Sequence, residues 1–246
     1  MPNLLNNEFS ELCIINLPHS SRVIPDYSSF FTSKDILDKE MDLVTDTYSD
    51  TIFPIESITC IKAEFSRVFC DVERFPDYRE YRLESLGRGW YPTHTDSGLK
   101  IRFSNFVYSD EVYKKYYIPY HSKLLNTVKE KLSKYSLVYI LDCHTFNDIP
   151  LHTDISQSPN RPDVCLGVNY TITPSWLVDY LRHNFVTSGY SVDINNPYSG
   201  CIIPEEYNYV DSHVHSIMIE VNKRVLESEA SRERMKSLLK EVIVNY

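Results

Sequence analysis

Glycine is scarce in this chain, with six among 246 residues, and neither G-x-G-x-x-G nor G-x-x-x-x-G-K-[ST] occurs. The two common glycine-rich phosphate cradles are therefore excluded. Long apolar runs are also missing: nothing approaches the ~20 uninterrupted apolar residues that a membrane span requires. Positive charge is in deficit, 25 Lys and Arg against 34 Asp and Glu, for a formal net charge of −9. That balance disfavours a nonspecific nucleic-acid binder but leaves room for a small anion held by a few local arginines. The opening residues, Met1 to Glu8, lack the basic and apolar segments of a signal peptide. Six cysteines are present without any C-x-x-C spacing, and five lie in or beside apolar, strand-like runs. Free thiols there behave as small hydrophobes, so no disulfide framework is expected and a reducing, cytoplasmic compartment is.

What is present points to one large α/β domain spanning residues 1–246. Strand-like runs rich in Ile, Val, Phe, Tyr and Cys fall at about 11–17, 57–63, 65–71, 136–142, 163–171, 190–194 and 215–221. The adjacent runs 57–63 and 65–71 read as a hairpin or a bent strand. Helical spacing marks 33–53, opened by the capping pattern Thr32-Ser33-Lys34-Asp35, and 110–133, which Pro119 is expected to split. Thr173-Pro174-Ser175-Trp176 starts another helix with Thr173 as cap, and 229–242 forms the last. Residues 72–108 read as a long loop, and loops of that length in a compact domain are usually functional. Strands alternating with helices predict a mixed, largely parallel, twisted sheet with helices on both faces, in three layers.

Two histidines follow apolar strands: His19 after Leu12–Leu17, and His144 after Leu137–Leu141. Ligand-capable side chains at strand ends are how an open α/β sheet builds a site at its carboxyl edge, and two such ends can bring two imidazoles to one metal ion. Other strand ends carry Arg67, Asp71, Glu73 and Arg74, then Asn196 and Tyr198, then Glu220. Taken singly, each has an ordinary structural explanation. A lone histidine is most often a hydrogen-bonded structural residue, a strand glutamate faces solvent or an arginine, and Asn-Pro makes turns. Their coincidence at several strand ends is what raises the functional reading.

The segments PHSSRVIP (18–25), SRVFCDVERF (66–75), GRGWYPTHTDSG (87–98), IPYHSKL (118–124), LDCHTF (141–146), RPDVCLG (161–167), NNPYSG (195–200) and IMIEVNKR (217–224) together resemble the N-formylglutamate amidohydrolase family. The resemblance implies a fold related to zinc carboxypeptidases and aspartoacylase-like deacylases. It also implies a hydrolase, dependent on one zinc ion, that cleaves the amide of an N-formyl or other small N-acyl amino acid. On that reading His19 and His144 are metal ligands and Glu73 the third, with Asp71, His94 and His121 as alternatives. Glu220 is the general base. Arg74 leads the candidates for the substrate carboxylate, ahead of Arg67, Arg82 and Arg161, while His121, Asn196 and Tyr198 are further candidate substrate contacts. The expected partner is a small anionic N-acyl amino acid, with no nucleic acid and no membrane. Asp142 has no deducible target. His213 and His215 share a strand face but are not called on, and His152 and His183 read as surface residues.

The chain departs from the family pattern at two places. Arg22 stands where carboxypeptidase-like sites draw a glutamate three residues after the first histidine, and Ser199-Gly200-Cys201 replaces the usual Gly-Gly after the NPY turn. Those departures keep two alternatives open: a metallopeptidase or deacylase with another acyl or peptide substrate, and a non-catalytic metal- or ligand-binding member of the fold.

Overall fold

The computed structural model describes residues 8–76, 81–104, 106–208 and 213–244. The reading of the N-terminus rests on residues that, apart from Glu8, lie outside the described ones, as do 77–80 and 105 of the expected 72–108 loop. Six strands form one sheet in the order β2-β1-β3-β6-β4-β5. They are β1 (Cys13–Leu17), β2 (Thr59–Lys62), β3 (Val138–Phe146), β4 (Val164–Gly167), β5 (Val192–Ile194) and β6 (Val214–Asn222). The first three and β6 run parallel, β4 is antiparallel to β6, and β5 runs parallel to β4. The sheet is thus mixed and mostly parallel, as the alternation of strands and helices predicts.

Side chains alternate across a strand, and the alternation divides the core in two. Cys13, Ile15, Leu17, Tyr139, Leu141, Cys143, Ile217 and Ile219 bury one face. Against it pack α1 (Phe9–Leu12), α3 (Ser49–Ile52), α7 (Ser175–Thr187) and α8 (Glu229–Val244), through residues such as Phe9, Ile52, Leu181 and Leu239. Ile14, Val138, Ile140 and Val214 bury the other face. There α2 (Lys34–Val44) and α6 (Ile118–Leu132) supply Leu37, Met41, Leu124 and Val128. On this second face the strands change character toward their carboxyl ends: Ile14 gives way to Asn16, Ile140 to Asp142 and His144, and Met218 to Glu220, all buried. Alternation that keeps one face apolar while the other turns polar builds a site into the sheet itself. Among the described residues, no helix is long and apolar enough to cross a membrane.

Several local expectations are corrected. Residues 65–71 form turns and no strand: the Ser66 carbonyl accepts from the Phe69 and Cys70 amides, and its hydroxyl accepts from Val68 N. A serine that bonds its own backbone offers the chain an alternative to a ladder, and the apolar residues behind it still enter the core. The expected helix 33–53 is two helices, α2 and α3, separated by a turn with Tyr48 at φ 71°, and Ser33 makes no side-chain cap. Pro119 does not split its segment. A π-helical stretch (Tyr113–Tyr117) joins α5 (Phe106–Val112) to α6, and Pro119 falls in the first turn of α6. The change of pitch comes just where the missing proline N–H would break an α ladder.

Thr173 does not cap α7, because its hydroxyl donates to the Ser216 carbonyl instead; Pro174 occupies the cap position. The 72–108 loop holds a short helix, α4 (Tyr81–Ser85). It is fastened by Arg102, fully buried over the Tyr91 ring and donating to the Phe69 carbonyl at 2.6 Å.

Candidate metal centre

Because β3 runs on to Phe146, His144 sits inside the strand and on the same face as Asp142 two residues earlier, while Glu220 lies beside it in register on β6. His19 follows β1 by two residues. The rings of His19 and His144 lie 5.1 Å apart, both buried. Each imidazole has one nitrogen committed to a carboxylate and the other turned toward a common point. His19 Nε2 donates to Asp71 Oδ1 at 2.8 Å. Its Nδ1 is buried without a hydrogen bond, 3.7 Å from Asp46 Oδ2 and 3.9 Å from Glu73 Oε2. His144 Nε2 donates to Asp142 Oδ1 at 3.1 Å, and its Nδ1 meets Asp46 Oδ2 at 2.8 Å. His19, Asp46 and His144, all buried, could hold a metal ion. A second cluster shares His144 and joins it to Glu73 and Asp142, with Glu73 Oε2 3.2 Å from His144 Nε2.

Charge explains how this many ionisable groups coexist. Burial raises the Asp71 and Asp46 carboxyls, yet Arg67 and His19 at Asp71, and the two imidazoles at Asp46, outweigh it and hold both well below their usual range. Arg67 contributes through Nε and Nη2, at 3.1 and 2.8 Å from Asp71 Oδ2, two charge-assisted bonds converging on one oxygen. Burial opposes a proton on His144, but Glu73 and Asp142 outweigh it and hold its pKa well above 6.5. Burial pushes Glu73 up, with Asp142 adding to it, while Asp142 is lowered to about 2 because His144, then Glu73 and the amide of Asn16, outweigh its own burial. Glu220 has the least help. Burial pushes its carboxyl up to about 8, and its Oε2 has no hydrogen-bond partner.

These groups open onto a cavity of about 290 Å³ whose walls include Arg67, Arg74, Arg82, Glu73, Tyr198 and Lys223, near the lower end of ligand clefts (~300–1,000 Å³). Among the residues singled out from sequence, His19, His144, Glu73, Glu220, Arg67, Arg74 and Tyr198 all line it. Arg82 is there too, donating to the Thr153 and Asp154 carbonyls. His121 and Asn196 are not on its lining: His121 Nε2 donates to the Val72 carbonyl, and the Asn196 amide donates to Asp193. Arg161 binds Asp154 and the Tyr198 hydroxyl behind the wall. His94 pairs with Thr93. Arg22 is on the surface in an ion pair with Asp42 at 2.7 Å, so the position that departs from the family pattern is away from the cluster. His215 bonds the Ile172 carbonyl near the amino end of β6, and His152 and His183 are exposed.

Sequence reasoning missed Asp46, because it fell inside an expected helix. The available signal was the trio Thr45-Asp46-Thr47, all polar and with two β-branched threonines, where helical spacing should continue. It also missed Asn16, a polar residue inside an otherwise apolar five-residue strand.

Fold and site together define an α/β protein with a candidate metal centre at the carboxyl edge of a mixed sheet. The family model for N-formylglutamate amidohydrolase matches residues 12–226, and the chain belongs to that family. In fold it is similar to the crystal structure of N-formylglutamate amidohydrolase from Ralstonia eutropha JMP134, with a TM-score of 0.82 at 20% identity, covering 95% of this chain and 92% of that one. It is also similar to a gene product of Agrobacterium tumefaciens, with a TM-score of 0.71 at 16% identity over 94% and 88% of the two chains. A search of curated protein sequences finds no match.

Proposed function

We propose that the protein is a zinc-dependent amidohydrolase that removes a formyl or other small acyl group from an amino acid, N-formylglutamate being the first substrate to try. Membership of the N-formylglutamate amidohydrolase family supports the substrate class. The observation that carries the chemistry is the lone nitrogen of His19: a buried, unpartnered Nδ1 facing Asp46 beside His144 Nδ1. A buried polar atom without a partner is costly, and two nitrogens with one carboxylate oxygen suit zinc. The outer nitrogens donate to Asp71 and Asp142, the carboxylate–histidine arrangement that fixes tautomers in metal sites. Asn16 donates its amide into the Glu73–Asp142 pair. An N–H aimed at those carboxylates suits an outer layer better than a second ion, and so favours Asp46 over Glu73 as the third ligand.

When bound there, zinc supplies acidity to a coordinated water and polarises a carbonyl. Glu220, beside His144 and with an unpartnered oxygen, is placed to take the proton from water and return it to the departing amine, since a cation bound next to it favours the carboxylate form that burial disfavours in the metal-free chain. Arg67 lines the cavity with Nη1 3.9 Å from Asp46 Oδ1 and steadies negative charge developing on the carbonyl oxygen. Arg74 and Arg82, on the cavity wall, receive the carboxylates of the amino acid. The deciding experiment measures zinc content and formate release from N-formylglutamate together. Stoichiometric zinc with turnover is expected, and a preparation that binds no divalent ion under any condition removes the reading.

A further inference from the structure

We propose that Lys223 is a positioning residue for the metal centre, fixing the turn that carries Asp46 to the end of β6; this rests on the metal reading above. Asp46 is the one member of the His19–Asp46–His144 group that neither lies in a strand nor follows one within two residues. It sits in the turn between α2 and α3, and three cross-links hold that turn. The Asp46 amide donates to the His19 carbonyl at 3.1 Å. The Thr145 hydroxyl donates to the Thr47 carbonyl at 3.0 Å. Lys223 Nζ donates to the Thr45 carbonyl at 2.7 Å. They come from the ends of β1, β3 and β6, the strands that bring His19, His144 and Glu220 to the site.

The lysine is suited to its place. Thr45 directly follows α2, where helix carbonyls have no intrahelical partner and the helix dipole favours a cation. Lys223 Nζ also donates to Asn147 Oδ1 at 2.8 Å, and the Asn147 amide reaches the Leu43 carbonyl at 2.7 Å. One cation and one amide thus cap two carbonyls at the end of α2. Because Lys223 is the residue immediately after β6, three beyond Glu220, the same link sets the proton-moving carboxyl relative to the Asp46 turn. Methionine at 223 would keep the aliphatic stem and leave Thr45 O and Asn147 Oδ1 without this donor.

The test is zinc affinity of the full chain, measured by competition with chromophoric chelators of graded strength. K223M is expected to weaken zinc by about 10- to 100-fold, the range typical of outer-layer partners, and K223R to recover most of that loss. In a D46N background K223M should cause no more than about a two-fold further loss, since the lysine acts through Asp46. Wild-type affinity in K223M overturns the proposal. So does an undiminished loss in the D46N background, which would mean general loosening. Should K223M fail to fold, K223Q carries the same expectation and the same overturning results. Absence of zinc binding by the wild-type chain is a different failure: it removes the metal reading itself, and this proposal with it.

Discussion

At the scale of single residues, the proposed function separates groups that would hold an ion from one that would move protons, and substitutions should divide the same way. His144→Ala removes an Nδ1 that no neighbour replaces, so zinc and turnover should disappear together, checked by metal analysis and formate release. Glu220→Gln keeps the shape, leaves His19, Asp46 and His144 untouched, and should retain zinc while turnover falls by at least ~100-fold. A variant that hydrolysed N-formylglutamate at the wild-type rate would take Glu220 out of the mechanism. The same pair has a pH signature in the metal-free protein. Burial raises the Glu220 carboxyl from 4.5 to about 8 in the folded state, so the native chain binds the extra proton. Its contribution to stability is fully present below about 4.5 and is lost as pH climbs through about 8. Glutamine does not titrate. Urea denaturation should therefore show E220Q gaining on the wild type across that window, where each tenfold difference in proton affinity between the folded and unfolded chain is worth about 1.4 kcal/mol. A constant difference across the window would show that Glu220 is not held protonated.

At the scale of strands and helices, β1 shows the cost of building a site into a sheet. Ile14 and Asn16 lie on the same face of one five-residue strand and are equally buried. Ile14 joins the apolar core on that face. Asn16 donates to Asp142 and accepts from the Tyr120 hydroxyl at 2.6 Å. Asn16→Leu should cost about 2–4 kcal/mol by stranding those buried partners, against about 0.5–1.5 kcal/mol for Ile14→Val. Chemical denaturation of the two variants decides it, and equal losses would mean that the polar network adds nothing beyond packing.

Elements whose pattern is set by burial were legible in the sequence for the same reason. β1, β3 and β6 are apolar enough to be read directly, and their ends announce His19, His144 and Glu220. What could not be read are places where a side chain redirects its own backbone. Ser66 turned an expected strand into turns, Thr173 spent its hydroxyl on Ser216 and not on a cap, and the 45–48 turn broke a helix whose apolar spacing continued across it. Asp46 lay in that last turn, so the histidines could be paired from sequence while the carboxylate between them could not.

At the scale of the whole molecule, the centre ties layers together that share little else. His19 and His144 belong to the sheet, Asp46 to the turn between helices packed on opposite faces, and Asp71 to the turns after β2. In the metal-free chain this junction holds Asp46, Asp71, Glu73, Asp142 and Glu220 in buried or largely buried positions against Arg67, Arg74, Lys223 and two imidazoles. A divalent ion held by His19, His144 and Asp46 would add positive charge where carboxylates crowd, and the unfolded chain offers no such preformed site. Binding to the native state alone raises stability by RT ln(1 + [L]/Kd), about 2.7 kcal/mol at free zinc 100-fold above Kd. For a chain of this length that is roughly 5–10 °C in melting temperature. The increase should reverse on chelation, vanish in H144A and shrink in D46N, where one ligand is lost and affinity falls. In E73Q it should persist in larger part than in D46N, because Glu73 Oε2 lies closest, at 3.2 Å, to the His144 nitrogen that faces away from Asp46 and stands 3.9 Å from His19 Nδ1. Loss of the whole increase in E73Q, with D46N unaffected, would instead assign the third ligand to Glu73, and thermal melts of these four proteins with and without zinc distinguish the two arrangements.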